Sequence, residues 1–344
     1  MASQFIITLR AEKRIKMRNF KELFGQFSSV KTAVIGDVML DTYWWGHVER
    51  ISPEAPVPIV SIKRKEFRIG GAANVALNTE ALLAPTTVFS VIGKDDDADV
   101  LSGLLEKNQI DASYIIRDEN RPTTNKIRIM GRSQQMMRID YEETKNLTPE
   151  IEDLLISSFK KYVAVEKPAI AILEDYNKGV LTPFVIQSII EICKENNILV
   201  AVDPKSKNFF CYQGVDIFKP NMKEVTEALN ISDTSVSDDN LNNIHLRLQE
   251  KLQHKTSLIT LSENGIFFQN EKDFFRQNAF VRNIADVSGA GDTVIAVASV
   301  VYALTKDMQL AASMANLAGG LVCEELGTAA INPALLMTEC NNCI

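Results

Sequence analysis

The stretch of this chain best suited to chemistry is Asp286-Val287-Ser288-Gly289-Ala290-Gly291-Asp292-Thr293. Two glycines flank one alanine, a carboxylate follows directly, and a nearly unbroken apolar run extends from Val294 to Leu304. Glycine lets a backbone turn tightly and approach a ligand closely. The apolar run is too short to cross a bilayer and reads as a helix buried on all sides. A glycine turn opening such a helix presents free N–H groups at its positive end, which is an anion site. The amides of Gly289, Ala290 and Gly291 would hold charge there, with Asp292 at the mouth. A carboxylate so placed can take the proton of a hydroxyl that attacks a phosphoryl group held on the amides. The plainer reading is a turn that merely starts a core helix, with Asp292 as a first-turn acid. The spacing excludes a dinucleotide fingerprint, which needs a third glycine, and a P-loop, which needs Gly-Lys-Ser/Thr.

Other polar residues cluster where apolar runs end. Val30 to Ile35 reads as a buried parallel strand that ends in Gly36-Asp37, with Asp41 four residues on. Ligands gather at that edge of an open α/β sheet. Asp37 and Asp41 could bond the hydroxyls of a polyol, or serve as a turn aspartate and a cap. The Gly70-Gly71 pair leads into an alanine-rich helix with Asn74 in its first turn. Asn74 can both donate to and accept from a sugar hydroxyl, or simply belong to a close-packed helix start. Further strands end in Glu174-Asp175-Tyr176, Asp203-Pro204-Lys205 and Lys219-Pro220-Asn221. Asn221 and Glu224 share one face of a helix start. They could organise a hydrated Mg²⁺ or form an N-cap with its capping-box glutamate; spacing alone does not choose.

The elements that must position these residues follow from periodicity. Strands are expected at 86–92, 112–116, 169–173, 198–202, 216–218 and 257–261, and helices at 98–107, 149–162, 182–195, 240–253 and 310–324. A hairpin is expected over 266–275. Two regions stand apart from this alternation. Tyr43-Trp44-Trp45-Gly46 is followed by three prolines, Pro53, Pro56 and Pro58, which forbid a helix or a central strand. Residues 59–67 then alternate as an exposed strand would. Residues 123–141 alternate apolar and basic residues, among them Lys126, Arg128, Arg132 and Arg138. Together, at about 43–67 and 120–141, they suggest a small β-sheet that covers a cleft or pairs with a second subunit. Its basic residues could hold an anionic substrate or merely aid solubility.

The chain has 344 residues, 46% hydrophobic and 24% charged, ample for one large α/β domain. A net charge of −7 argues against a nucleic-acid surface. Five scattered cysteines fit a reducing, cytoplasmic setting better than a disulfide framework. Cys340 and Cys343 form a C-x-x-C without a second pair, and the three histidines, His47, His245 and His254, lack metal-ligand spacing. Residues 1–29, with Arg10, Lys13, Arg14, Lys16, Arg18 and Lys21, read as a basic helical extension rather than a secretory signal, and Met17 is an alternative start. The simplest division is this extension, a main domain over 30–338 with the inserted sheet, and a tail over 339–344.

Gly70-Gly71-Ala72-Ala73-Asn74 and Ser288-Gly289-Ala290-Gly291-Asp292 resemble, in order and separation, the two signatures of the ribokinase-like (PfkB) sugar kinases. Asn221-Met222-Lys223-Glu224 resembles that family's N-x-x-E motif. Ser288 stands where the family usually has threonine, and Ala296 where glycine is common. Within the family, Gly36-Asp37-Val38-Met39-Leu40-Asp41, the run from Arg50 to Pro58, Gln134-Gln135 with Arg138, Asp175-Tyr176-Asn177-Lys178-Gly179 and Asp203-Pro204-Lys205 are similar to the heptose-7-phosphate kinase branch. That kinase is often the first half of a bifunctional protein with a nucleotidyltransferase. No His-x-Gly-His motif is present here, so a stand-alone kinase is expected.

The resemblance implies a three-layer α/β/α sandwich with a β lid, ATP and Mg²⁺ as cofactors, and phosphorylation of the anomeric O1 of D-glycero-D-manno-heptose 7-phosphate. It implies Asp292 as base with the Gly289, Ala290 and Gly291 amides beside it. Asp37, Asp41, Gly70, Gly71, Asn74 and Asp175 would face the sugar, and Lys126, Arg138 and Lys178 its phosphate. Lys205, Asn221, Ser262, Gly265, Ser288, Gly289 and Gly291 would lie along the nucleotide. Asn221 and Glu224 would hold Mg²⁺ through water. A homodimer through the lid is the implied assembly, with no nucleic-acid or membrane partner. The rival readings are a kinase for another sugar phosphate or a nucleoside, and a sugar-binding regulator without catalysis.

Overall fold

Short runs of buried β-branched and aliphatic residues, each followed by an amphipathic helix, build a mainly parallel sheet. The computed structural model describes residues 19–131, 134–280 and 282–344. Arg132 of the alternating run lies outside them, as do Met17 and Arg10, Lys13, Arg14, Lys16 and Arg18 of the basic extension. The strands are β1 (Thr32–Gly36), β2 (Val38–Ile51), β3 (Pro58–Gly71), β4 (Thr86–Ile92), β5 (Asp111–Arg117), β6 (Asn125–Gly131), β7 (Gln134–Tyr141), β8 (Ile170–Glu174), β9 (Leu199–Asp203), β10 (Ile217–Phe218), β11 (Thr256–Thr260), β12 (Ile266–Gln269) and β13 (Phe274–Gln277). The helices are α1 (Phe20–Gln26), α2 (Ala72–Ala81), α3 (Asp96–Lys107), α4 (Pro149–Glu166), α5 (Pro183–Glu195), α6 (Met222–Leu229), α7 (Asp238–Leu252), α8 (Ala290–Thr305), α9 (Met308–Val322) and α10 (Pro333–Cys343).

Among the described residues, the main sheet has the order β13-β12-β11-β10-β9-β8-β1-β4-β5. From β11 to β5 every pair is parallel, and β12 and β13 add an antiparallel hairpin at one edge. Alternate residues of each strand feed two separate cores. Val34, Ile170 and Ile172 pack with α2, α8 and α9 on one face. Ala33, Ile35, Ala171 and Leu173 pack with α4, α5 and α7 on the other. The result is three layers, α/β/α. In the buried helix α8, every residue from Asp292 to Val301 is buried. A Cβ on Gly319 would meet Val294 Cγ2 at 2.8 Å, so that glycine sets how closely α9 approaches α8.

The small sheet has the order β3-β2-β6-β7. Strand β2 extends unbroken from Val38 to Ile51 and pairs with β3 almost throughout. The strand therefore begins well before Tyr43. Its first six residues are all buried, so the period-two signal of a half-exposed strand is absent from the sequence there. Pro58 occupies the first position of β3, where its missing N–H costs least. At the other end of the chain, α10 runs from Pro333 to Cys343 and buries Cys340, so residues 339–344 finish a packed helix instead of forming a tail.

Candidate active site

Parallel strands β1, β8, β9 and β10 all end at one edge, and the residues there converge with the first turn of α8. Gly289 caps this helix with φ 80°, a left-handed conformation that suits glycine. A Cβ at that position would also meet Asn74 Nδ2 at 2.6 Å. Thr293 N closes the first helical bond on Gly289 O at 3.0 Å, so the amides of Gly291 and Asp292 precede the hydrogen-bond ladder. The Ala290 amide differs from the expectation: it reaches back to Val287 O at 3.3 Å and braces the turn. Ser288 also braces. Its N–H and hydroxyl donate to Asp286 Oδ1 at 3.0 and 2.8 Å, while Gly327 N donates to Asp286 Oδ2 at 2.9 Å. Asp286 thereby fixes the glycine turn from below, a role its place in the motif did not reveal.

Asp292 is 3% exposed and held at both oxygens. Asn74 Nδ2 donates to Oδ2 at 2.7 Å, and the Tyr176 hydroxyl donates to Oδ1 at 2.7 Å. Burial pushes the Asp292 carboxyl up to about 6, against the pull of these two donors. Glu174, Asp203 and Asp292 bring carboxylate oxygens within 4.8 Å of one another. Lys219 Nζ bonds Asp203 Oδ2 at 2.7 Å, and the pair is nearly inaccessible to solvent. Glu174 is 1% exposed, and among the described residues neither of its oxygens has a partner. Burial, then the neighbouring Asp203 and Asp292, drive its carboxyl well above the usual range. Glu174, Tyr176, Asp203 and Lys219 were visible in the sequence only as members of polar strand ends. Their position directly after buried parallel strands was the available signal.

Several residues expected at the sugar also brace the site. Asp37 Oδ2 accepts from the backbone N–H groups of Tyr176 (2.8 Å) and Lys178 (3.0 Å), and Oδ1 from that of Val180 (3.1 Å). It is 1% exposed and holds the 175–181 loop onto β1. Asp175 does the same nearby, accepting from Asn177 N and the Tyr212 hydroxyl at 2.7 Å each. Its carboxyl is pushed to about 6 by burial and by Asp37. Asn74 is fully buried and spends its amide on Asp292. Asp41 is paired with Arg128 of β6. Gly70 and Gly71 are required for closeness: a Cβ would run into Asp41 Oδ2 and Asp37 O, respectively.

The basic residues divide. Lys178 and Lys126 converge on one carboxylate, Glu142, at 2.6 and 3.4 Å, joining the core loop to the small sheet. Arg138 lies one ion pair further out, on Asp140 at 2.8 Å, with its side chain half exposed. Lys205 Nζ bonds Glu224 Oε1 at 2.6 Å and sits 5.3 Å over the Tyr176 ring. Burial opposes its charge, but Asp203 and Glu224 together hold its ammonium above the ordinary lysine range. Ser262 and Gly265 form a tight turn between β11 and β12, with φ of 54° and 86°. The bridge Asn221↔Thr260 places this turn beside Asn221.

Asn221 and Glu224 form the capping box. Glu224 N donates to Asn221 Oδ1 and Asn221 N to Glu224 Oε2, both at 2.9 Å. With Lys205 on Oε1, each side-chain oxygen of this cap already accepts one hydrogen bond. Contact through water is compatible with it. Hard divalent cations prefer several oxygen ligands. The buried Glu174–Asp203–Asp292 cluster, with two orphaned carboxylate oxygens, has donor chemistry that fits such an ion.

The class follows from comparison as well as geometry. Residues 30–335 match the pfkB family carbohydrate kinase model, and the chain belongs to that family. It is therefore a phosphotransferase that acts on a sugar alcohol group, using ATP. Among curated proteins it is 43% identical over 299 residues to the Bifunctional protein HldE of Aliarcobacter butzleri, covering 86% of this chain. It is 37% identical over 309 residues to the protein of the same name from Haemophilus influenzae, covering 90% of this chain. The chain spans 61% and 63% of the lengths of these two relatives. Among solved structures it is similar to Escherichia coli phosphofructokinase-2 in complex with potassium, with TM-score 0.74, 15% identity, and 90% and 99% of the two chains covered. A ribokinase from Arabidopsis thaliana complexed with ribose and ATP gives TM-score 0.70 at 16% identity, over 90% and 98%. Among the described residues no helix is long and apolar enough to cross a membrane.

Proposed function

We propose that this chain transfers the γ-phosphoryl group of ATP to the anomeric O1 of D-glycero-D-manno-heptose 7-phosphate, giving the 1,7-bisphosphate. The observation that carries the reading is Asp292. It is a buried carboxylate oriented by two donors at the mouth of a glycine-capped helix, with its carboxyl near 6. At neutral pH it is ionised and poised to accept a proton, where a base of that strength is most useful. The O1 proton passes to Asp292 as O1 forms its bond to the γ-phosphorus. The bond from that phosphorus to the β-phosphate oxygen breaks, and its electron pair leaves with ADP. The amides of Gly289, Gly291 and Asp292 itself face the charge that develops on the transferring group.

Mg²⁺, when bound, would neutralise phosphate charge. Glu174 and Asp203 would hold it, with Asn221 and Glu224 reaching it through water. Lys205, Ser262, Gly265 and Ser288 line the nucleotide side. Lys126 and Lys178 would receive the 7-phosphate in exchange for Glu142, with Arg138 at the rim. Asp41 faces the sugar from under Gly70. The heptose assignment is supported by the two named relatives and by the 50–58 and 175–179 runs, whereas the similar phosphofructokinase and ribokinase structures support the fold alone. A cytoplasmic enzyme that acts as a homodimer through the small sheet completes the reading.

The test is coupled ADP release with Mg²⁺-ATP, comparing heptose 7-phosphate with fructose 6-phosphate and ribose. We expect turnover of the heptose phosphate alone, falling by about 10² to 10⁴ in Asp292→Asn. Turnover of another sugar would replace the substrate and keep the mechanism. Full activity of the Asp292→Asn protein would end the base assignment.

A further inference from the structure

We propose that Arg68 is a positioning residue that ties the small sheet to the glycine turn, so that the Gly289 and Gly291 amides are set for the transferring phosphoryl group when the sheet is seated over the site. The inference rests on the reading of that turn as the phosphoryl site. Sheet and turn meet on the loop over 323–331, which follows α9. One end of this loop is clamped to the chain that enters the turn: Ala285 N and Asp286 N both donate to Cys323 O, at 2.8 and 3.2 Å. The other end is clamped to α8 through one side chain of α2. Asn78 Oδ1 accepts from Ile331 N at 2.9 Å and from the Thr293 hydroxyl at 3.1 Å. Between the clamps, Gly327 N donates to Asp286 Oδ2 at 2.9 Å, while Asp286 Oδ1 holds Ser288. Thr328 also packs on the turn, with Cγ2 3.3 Å from where a Cβ on Gly289 would lie.

Arg68 reaches the middle of this loop from β3. Its Nη1 donates to the carbonyls of Leu326 and Thr328, the two residues that flank Gly327. Its Nε donates to Glu66 Oε1 at 2.7 Å, and Glu66 Oε2 accepts from the Trp45 indole at 3.2 Å. One rigid guanidinium plane therefore bridges loop and sheet, which a lysine's point charge does not reproduce. The same guanidinium stands 5.2 Å from the Tyr43 ring, as does that of Arg128. The contact is close. Gly327 has φ 73°, and a Cβ there would meet Tyr43 Oη at 2.5 Å and Arg68 Nη1 at 2.8 Å. In register Arg68 stands opposite Asp41, on the face that carries the residues proposed to meet the sugar. A sugar that seats this face acts, through Arg68 and the Gly327–Asp286 bond, on the amides that receive the phosphoryl group. Completing the site by closure disfavours transfer to water.

The experiment is a double-mutant cycle between Arg68→Gln and Asp286→Asn, read in kcat for heptose 7-phosphate with both substrates saturating. We expect each single change to lower kcat about 10- to 100-fold, the scale of a misplaced reacting group. The double variant should be no slower than the slower single. A merely structural arginine gives effects that multiply, or an effect confined to KM, and either result overturns the proposal. A second readout needs no turnover. In ¹⁵N-labelled protein without sugar, the Gly289, Gly291 and Gly327 amide resonances should shift in Arg68→Gln, while those of the β12–β13 hairpin stay in place. Unmoved Gly289 and Gly291 resonances overturn the link between sheet and turn. If the wild type turns over no heptose phosphate and these resonances still move, the substrate reading falls and the link stands. Should Arg68→Gln not fold, Arg68→Lys keeps the charge without the fork and must shift the same resonances. No shift there overturns the proposal as well.

Discussion

The buried carboxylates of this site work against folding stability at neutral pH. Asp292 and Asp175 both have carboxyls raised to about 6, and burial is the first cause in each. An acid whose folded value exceeds its unfolded one binds more protons when folded. Its ionisation therefore costs stability progressively as pH rises from the unfolded value near 4 to the folded value near 6. We predict that wild type loses about 3 kcal/mol relative to Asp292→Asn between pH 4 and pH 7. Urea midpoints at a series of pH values check this, and a pH-independent difference between the two proteins would contradict it. The sequence showed Asp292 and its glycines plainly, because helix-start chemistry is local. It did not show that Asn74 spends its amide on Asp292, since that bond spans residues 74 and 292 and depends on how α2 packs beside α8. For the same reason the sequence did not show that Asp37 accepts from three amides of a loop some 140 positions away.

At the scale of elements, the periodic helices and buried strands were legible and the small sheet was only partly so. Strand β4 lies where its apolar run predicts, and α5 begins one residue after its Thr182 cap. The N-x-x-E spacing was ambiguous by nature, because a capping box and a hydrated-metal pair use the same residues. The structure makes the box, and a water-mediated role is compatible with it. The lid and core meet at a three-part ion cluster: Lys126 on β6, Glu142 just past β7, and Lys178 on the loop after β8. Glu142 serves there as an internal anion between two ammonium groups. Replacing Lys178 by Met should raise KM for the sugar phosphate about tenfold or more, the scale of one lost charge-assisted bond. KM for ATP should stay unchanged. Steady-state kinetics with each substrate varied in turn decides this, and an equal rise for both substrates would place Lys178 outside the phosphate site.

At the scale of the molecule, the small sheet has two unlike faces, and cross-strand register says which residues share each. Asp41 stands opposite Arg68 and Lys126, and Tyr43 opposite Glu66 and Arg128. This charged face turns toward the core, where Arg68 reaches the Leu326 carbonyl. The intervening residues share the other face: Thr42 opposite Phe67 and Ile127, Trp44 opposite Ile129, and these in turn opposite Ile139 and Met137. Phe67, Met137 and Ile139 are 37%, 57% and 41% exposed there. A sheet with a charged face turned to the core and an apolar outer face offers a surface on which a like sheet could form a sandwich. Symmetric pairing of two copies buries the same patch on each. It would also stiffen the very strands that carry Asp41, Lys126 and Arg128, so assembly and substrate binding would be coupled. We therefore expect a dimer in sedimentation velocity. Met137→Lys with Ile139→Lys, both on the outer face and away from Asp292, should convert it to monomer. KM for the sugar phosphate should rise in parallel, because an unpaired lid holds its basic residues less firmly. A wild type that sediments as a monomer at tens of micromolar would remove this assembly, and a monomeric variant with unchanged KM would remove the coupling.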